Sequence, residues 1–273
     1  LIGGIVNVIL DFVLVLGVDN IIEPMGVSGA AWASVIAQTT MMLCAVYCMY
    51  KYTPFKFKIH KKLSPYFNEM LMIFMNMFIR TMVLNIVFIL SNRFANQYGK
   101  EQLAAYTIAY NIWIFTSFFI DGYSNAGNAL AGKFLGENNN KKLSLLGKKL
   151  LSINIKIACI LMLIYSASYF HIGYFFNNNK EVIVFFESIF WIVIVAQPFN
   201  SIAFTFDGLF KGLGRAVELR NTLIYATFLV FVPLLLILDY ITPGLHTIWL
   251  ALSGWMIFRG LSLLIMFRKI TTL

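Results

Sequence analysis

Eight long apolar runs separated by short polar breaks constrain this chain more than any other feature. A bilayer core of about 30 Å needs roughly 20 helical residues, and the runs fall at about 1–22, 27–50, 66–94, 103–134, 144–170, 182–210, 216–239 and 246–267. Transmembrane strands would show segments of about ten residues with alternating polarity. These runs are longer and apolar on every side, so the fold expected is all-α and polytopic, with about eight transmembrane helices. Composition agrees: 60% of the residues are hydrophobic and 12% charged, against about a quarter charged in a soluble domain. The chain opens at Leu1 inside an apolar run, without a basic leader or a small-residue cleavage site, and so reads as a piece of a longer protein.

The net charge of +9 is a topology signal. Lys51, Lys56, Lys58, Lys61 and Lys62 follow the second run, and Lys133, Lys141, Lys142, Lys148 and Lys149 lie between the fourth and fifth. Lys211, Arg215 and Arg220 lie between the sixth and seventh, and Arg268 and Lys269 follow the eighth. The alternate loops hold only Arg93, Lys100 and Lys180. Basic loops stay in the cytoplasm, which puts both ends of the chain on that side of a cell membrane. No aromatic-basic motif accompanies the charge, so nucleic acid is not an expected partner. Cys44, Cys48 and Cys159 form neither a disulfide framework nor a C-x-x-C pair, and His60, His171 and His246 lie at segment edges. Neither a cofactor nor an enzyme is expected.

Charged groups at bilayer depth cost about 2.5–3.5 kcal/mol on insertion scales, and each calls for a partner. Asp11 sits inside the first run with Asn7 one turn before it, on the same helix face. The pair suits a carboxylate that takes up and releases a proton, or hard oxygen ligands for a sodium ion; structural glue between helices is the alternative. Arg80, Asp121 and Asp207 are the next charged positions. One Arg and two Asp in one bundle invite a compensated cluster, either a structural lock or a substrate- or ion-binding site. Pairing of both carboxylates with Arg80 stays open. Lys156, Glu69, Glu187 and Arg259 are read as snorkelling from span ends, which leaves Arg80 as the deep basic residue. Pro198 interrupts the sixth run and frees backbone carbonyls that Asn200 or Ser201 could answer. Gly132/Gly136 and Gly208/Gly212 have the spacing of close helix contacts.

Helix pairs at the two ends of the chain look alike. Asn7 opens a span that ends near Glu23-Pro24, and Asn221 one that ends near Thr242-Pro243; each is followed by a Gly-led helix containing Trp32 or Trp249. Repeated bundles around a midplane site are a transporter architecture. The basic segment 51–65 is the natural boundary between two bundles, a solvated linker or one lying along the anionic leaflet.

The run Asn7-Val8-Ile9-Leu10-Asp11, followed by Gly26-Val27-Ser28-Gly29-Ala30-Ala31-Trp32-Ala33-Ser34, resembles the fifth and sixth helices of the multidrug and toxic compound extrusion (MATE) family. Asn76-x-x-x-Arg80-Thr81, Asp121-Gly122, Asp207-Gly208-Leu209-Phe210-x-Gly212 and Arg215-Ala216-Val217-Glu218-Leu219-Arg220-Asn221 look like its DinF branch. The resemblance implies two six-helix lobes: the last two helices of the first over 1–50, a cytoplasmic linker at 51–65, and the complete second lobe over 66–273. It also implies a monomeric antiporter that exports amphipathic or cationic small molecules against H⁺ or Na⁺. Asn7 and Asp11 would belong to the cation-coupling pocket, with Ser34 matching a hydroxyl position on the next helix. A lipid-linked oligosaccharide flippase of the same superfamily, or a non-transporting scaffold, is the alternative. The flippase calls for a more cationic cavity than a lone Arg80 provides.

Overall fold

The computed structural model describes residues 2–17, 23–53 and 65–272. The end of the first expected span, 18–22, and most of the expected linker, 54–64, lie outside the described residues. The chain divides into two compact units, Leu1–Ser64 and Pro65–Leu273.

In the first unit, α1 (Ile2–Val15) and α2 (Gly26–Tyr52) form an antiparallel hairpin. Small residues set its closeness. A Cβ at Gly3 would collide with the Met41 side chain, and one at Gly29 with the backbone carbonyl of Leu14. Met25 N–H donates to Leu14 O at 2.9 Å, tying the start of α2 to the end of α1.

The second unit runs α3 (Phe67–Tyr98), α4 (Lys100–Gly136), α5 (Asn140–Ala167), a 3₁₀ turn (Ile172–Phe175), α6 (Lys180–Gly212), α7 (Ala216–Tyr225), a π-helical stretch (Ala226–Phe231), α8 (Val232–Ile241) and α9 (Leu245–Thr272). Residues 216–241 are one continuous span. Among the described residues, seven helices are long and apolar enough to cross a membrane, and Ile2–Val15 is a shorter apolar eighth. The segment boundaries follow local chemistry. Gly99 alone separates α3 from α4, at φ +130, a backbone conformation that side-chain-bearing residues avoid. Gly214, at φ +68, makes the turn after α6. The Asn139 and Asn179 side chains accept from Lys142 N–H and Glu181 N–H at 3.0 Å, capping α5 and α6. The π stretch is the departure from a plain helical span. It ends just before Pro233, whose missing N–H and bulky ring disrupt a regular helical ladder.

Helices α4 and α6 are the most enclosed of the unit. Their contact is tight because α6 turns glycines towards α4: a Cβ at Gly208 would meet the Ser124 backbone, and one at Gly212 the Asn128 backbone. Both belong to the Gly208/Gly212 pair read as packing residues. The Gly132 Cβ position lies 3.2 Å from Gly212 O, whereas that of Gly136 faces open space, so the second glycine pair contributes only one close contact. Gly212→Ala is expected to push α4 and α6 apart and cost about 1–3 kcal/mol. Gly122→Ala, on the same α4 but with nothing within 4 Å of the new methyl, is expected to be neutral or stabilising by up to about 1 kcal/mol. Thermal unfolding of the two variants in detergent, read side by side, checks the pair.

The apolar core of this unit forms two clusters. One gathers Phe186, Phe190, Phe231, Trp249 and Trp255; the other gathers Leu143, Phe206, Leu209, Phe210 and Phe267. Along α6, Ala203 belongs to the first and Phe206 to the second; along α9, Met256 belongs to the first and Leu263 to the second. Asp207 and Arg259 sit at this seam.

Candidate functional site

Asp207 is the hub of the second unit. Arg80, on α3, donates through Nη2 to both carboxylate oxygens, at 2.7 Å to Oδ1 and 2.5 Å to Oδ2. Lys211 Nζ, one turn along α6, lies 3.1 Å from Oδ2, and Arg259 Nη2, from α9, lies 3.4 Å from Oδ1. Three cations thus share one carboxylate whose side chain is 9% exposed. An ionised carboxylate offers about four acceptor positions, and these contacts use them all. The Arg80 Nε–H is buried with no partner.

The cluster opens onto a cavity of about 250 Å³ lined by Arg80, Asp121, Asp207, Lys211 and Arg259 together with Phe88, Trp113, Phe118, Phe204 and Trp255. Asp121 lines it without joining an ion pair among the described residues. The three sequence-derived positions therefore share one cavity, but only Arg80 and Asp207 pair directly.

Two expectations need correction. Arg259 does not snorkel: it lies midway along α9, is 3% exposed, pairs with Asp207 and stacks over the Trp255 ring at 4.4 Å. It lies eight residues, about 12 Å of helix, from the end of its own apolar run, but only the fold shows that it points into the bundle. Lys211 is not a loop cation but the last-turn partner of Asp207. Arg80 is thus one of three basic side chains in the cavity.

Trp255 is held from behind. Its Nε1–H donates to Thr227 Oγ1 at 3.1 Å, a hydroxyl presented by the π stretch. Thr227→Val removes the acceptor while keeping the shape, leaving a buried indole N–H unpaired, and is expected to cost about 1–3 kcal/mol. Chemical denaturation of the purified variant measures it.

A second polar layer escaped the sequence reading. Asn154, fully buried on α5, donates to Thr205 Oγ1 at 2.7 Å and Ser124 Oγ at 3.2 Å, joining α5, α6 and α4. Nothing in its local sequence marks it; only the crossing of three helices does. Asn76 accepts from Arg220 at 2.5 Å, so the Asn76/Arg80 face of α3 reaches α7 with one residue and α6 with the other. At Pro198, Ser201 Oγ donates to the proline's own carbonyl, while Asn200 Oδ1 is buried without a partner.

In the first unit, Asn7 and Asp11 lie half-buried on one face of α1, and Ser34 is exposed on α2. No hydrogen bond joins Ser34 to either among the described residues. No three His, Cys, Asp or Glu side chains cluster as metal ligands among the described residues.

These helices, with an ion cluster set inside one bundle, define a multi-pass membrane protein. A family model described as MatE matches residues 76–241, and the chain belongs to that family. It is similar to the DNA damage-inducible protein F of Escherichia coli, 26% identical over 98% of this chain and 58% of that protein. Protein DETOXIFICATION 42 of Arabidopsis thaliana is 24% identical over 95% of this chain and 48% of its own length. Multidrug export protein MepA of Staphylococcus aureus is 21% identical, over 89% and 53%. A crystal structure of MATE in the straight conformation has the same fold, with a TM-score of 0.84 at 19% identity, covering 99% of this chain and 61% of that one. An outward-facing multidrug resistance MATE family transporter matches with a TM-score of 0.84 at 20% identity, over 99% and 61%. The chain spans roughly half to three-fifths of the length of these relatives. Of these, the staphylococcal relative is named a multidrug export protein and the outward-facing structure a transporter.

Proposed function

We propose that this protein is a secondary active transporter, an antiporter that exports amphipathic small molecules against an inward flow of H⁺ or Na⁺. The observation that carries the reading is Asp11: a carboxylate inside an apolar helix, half-buried, with the Asn7 carboxamide one turn away. The carboxylate can take a proton, and carboxylate and amide oxygens together are hard ligands suited to a sodium ion. Ser34 is a further oxygen on the adjoining helix. Cargo and coupling ion compete, so that uptake of the cation at Asp11 releases the cargo outside. On this reading residues 1–50 close a first lobe, 51–65 are a cytoplasmic linker, and 66–273 are the second lobe. The protein is a monomer in the plasma membrane with both chain ends cytoplasmic. The name of the staphylococcal relative supports a drug-like cargo.

The test is efflux of two fluorescent amphiphiles, one cationic and one anionic, from cells stripped of their own pumps, comparing wild type with Asp11→Asn at matched expression. Loss of efflux in the variant is expected; unchanged efflux removes Asp11 from coupling.

A second reading, a flippase for lipid-linked oligosaccharides, is favoured by one specific observation: the basic side chains Arg80, Lys211 and Arg259 in the cavity of the second unit.

A further inference from the structure

We infer that the cavity of the second unit is an anion-recognising subsite, built to hold the phosphate or carboxylate head of an amphipathic molecule with its apolar tail against the aromatic wall. This deepens the transport reading and rests on it, since it names the charge class of the cargo.

Charge points to an anion. Arg80, Lys211 and Arg259 face Asp121 and Asp207, leaving one positive charge in excess. Asp207 is saturated by the three cations it holds, so it offers nothing to an incoming cation. Donors, in contrast, are left over. The Arg80 Nε–H is buried and unpaired, and every hydrogen bond described for its guanidinium runs through the single nitrogen Nη2. Lys211 has three N–H groups, and its side chain is 38% exposed. A buried donor without an acceptor is costly, and a tetrahedral or planar anion supplies the acceptors that are missing. Arg259 is held in place by Trp255 and Asp207, so the positive field exists before the ligand arrives.

Shape agrees with charge. Small-molecule pockets commonly enclose about 300–1,000 Å³; at about 250 Å³ this cavity suits a headgroup and a short stretch of chain. Phe88 packs edge-on to Trp113 and Trp255, and Phe204 tilts against Trp113 at 6.0 Å, forming one continuous apolar wall. Asp121 is the one opposing group. It lines the cavity without an ion pair, and its carboxylate repels an anion. Its presence sets the direction of the test.

The purified full-length transporter in detergent is titrated calorimetrically with hexyl phosphate, hexyltrimethylammonium and inorganic phosphate. Saturable hexyl phosphate binding is expected, tighter than that of either other probe. Lys211→Gln should weaken it roughly tenfold, the loss of one charged hydrogen bond. Asp121→Asn should strengthen it several-fold, and because neither variant strips Asp207 of both arginines, both are expected to stay folded. Tighter binding of hexyltrimethylammonium, or hexyl phosphate affinity that neither substitution moves, would overturn the assignment. Equal affinity for inorganic phosphate would overturn the amphiphile and leave a free-anion site. A long-chain prenyl phosphate binding where hexyl phosphate does not would assign the same site to a lipid carrier and overturn the soluble amphiphile as cargo. The titration involves no ion gradient and no turnover, whereas the efflux assay needs both. Failure of the efflux test and failure of this one are therefore separate results.

Discussion

Asp207→Ala is expected to be the most destabilising single substitution in the second unit, costing about 3–5 kcal/mol, the range for breaking a buried ion pair from one side. It leaves Arg80, Lys211 and Arg259 facing one another, with Asp121 as the remaining counter-charge in the cavity. The three cations are not equally captive. Lys211 can swing towards water, so Lys211→Gln should cost under about 1 kcal/mol. The Arg259 side chain is 4% exposed and stacked on Trp255, so it has no alternative solvation. Asp207→Asn should fall close to Asp207→Ala, because the missing quantity is charge and not shape. Thermal unfolding of the solubilised protein, with these variants compared in one detergent, reads the order directly. A small effect of Asp207→Ala would mean that Asp121 takes over the pairing, and Asp121→Asn added to it would then bring the full loss.

Asp11→Asn is expected to abolish net efflux with little effect on folding. The substitution keeps the volume and a hydrogen-bonding side chain at a half-buried position, so the hairpin of α1 and α2 retains its contacts. On the proposed antiport mechanism, what disappears is the carboxylate that would hold the proton or sodium ion, and with it the link between the ion gradient and cargo release. A ligand drives a conformational equilibrium only through its differential affinity for the two states; without the carboxylate the coupling ion has none at this position. Efflux of whichever fluorescent amphiphile the wild type exports, measured with surface expression matched by tag fluorescence, should fall to that of cells without the pump. Asn7→Ala should weaken efflux less, since one ligand oxygen is removed and the charge remains. Replacing Na⁺ by choline at constant pH, and then collapsing the pH gradient at constant Na⁺, identifies the ion in the wild type.

The spans were legible because hydrophobicity over about 20 residues is a local, additive property. The expected segment 182–210 became Lys180–Gly212, with ends set by the Asn179 cap and Gly214, which act within one turn, and 246–267 became Leu245–Thr272, which starts after Gly244. The intramembrane charges were legible for the same reason, since an ion in an apolar run stands out wherever it points. The cost of an ion in hydrocarbon also demands partners for Arg80 and Asp207 on chemical grounds alone. Which partners they find is not a local property. The rotation of α9 about its axis turns Arg259 inward onto Asp207, and depth within a span excludes snorkelling only for a side chain that points into the bundle. The last turn of α6 similarly converts Lys211 from a loop charge into a third cation. Asn154 on α5 meets Thr205 and Ser124 because three helices cross there, and no pattern along one helix encodes a crossing. The sequence by itself determined a bundle of membrane helices carrying Asp11, Arg80, Asp121 and Asp207 at depth. Only the tertiary structure decided that one carboxylate serves three cations beside an aromatic cavity, because charge pairing depends on helix rotation and packing distance, which close glycine contacts such as Gly208 on Ser124 set between elements remote in the chain.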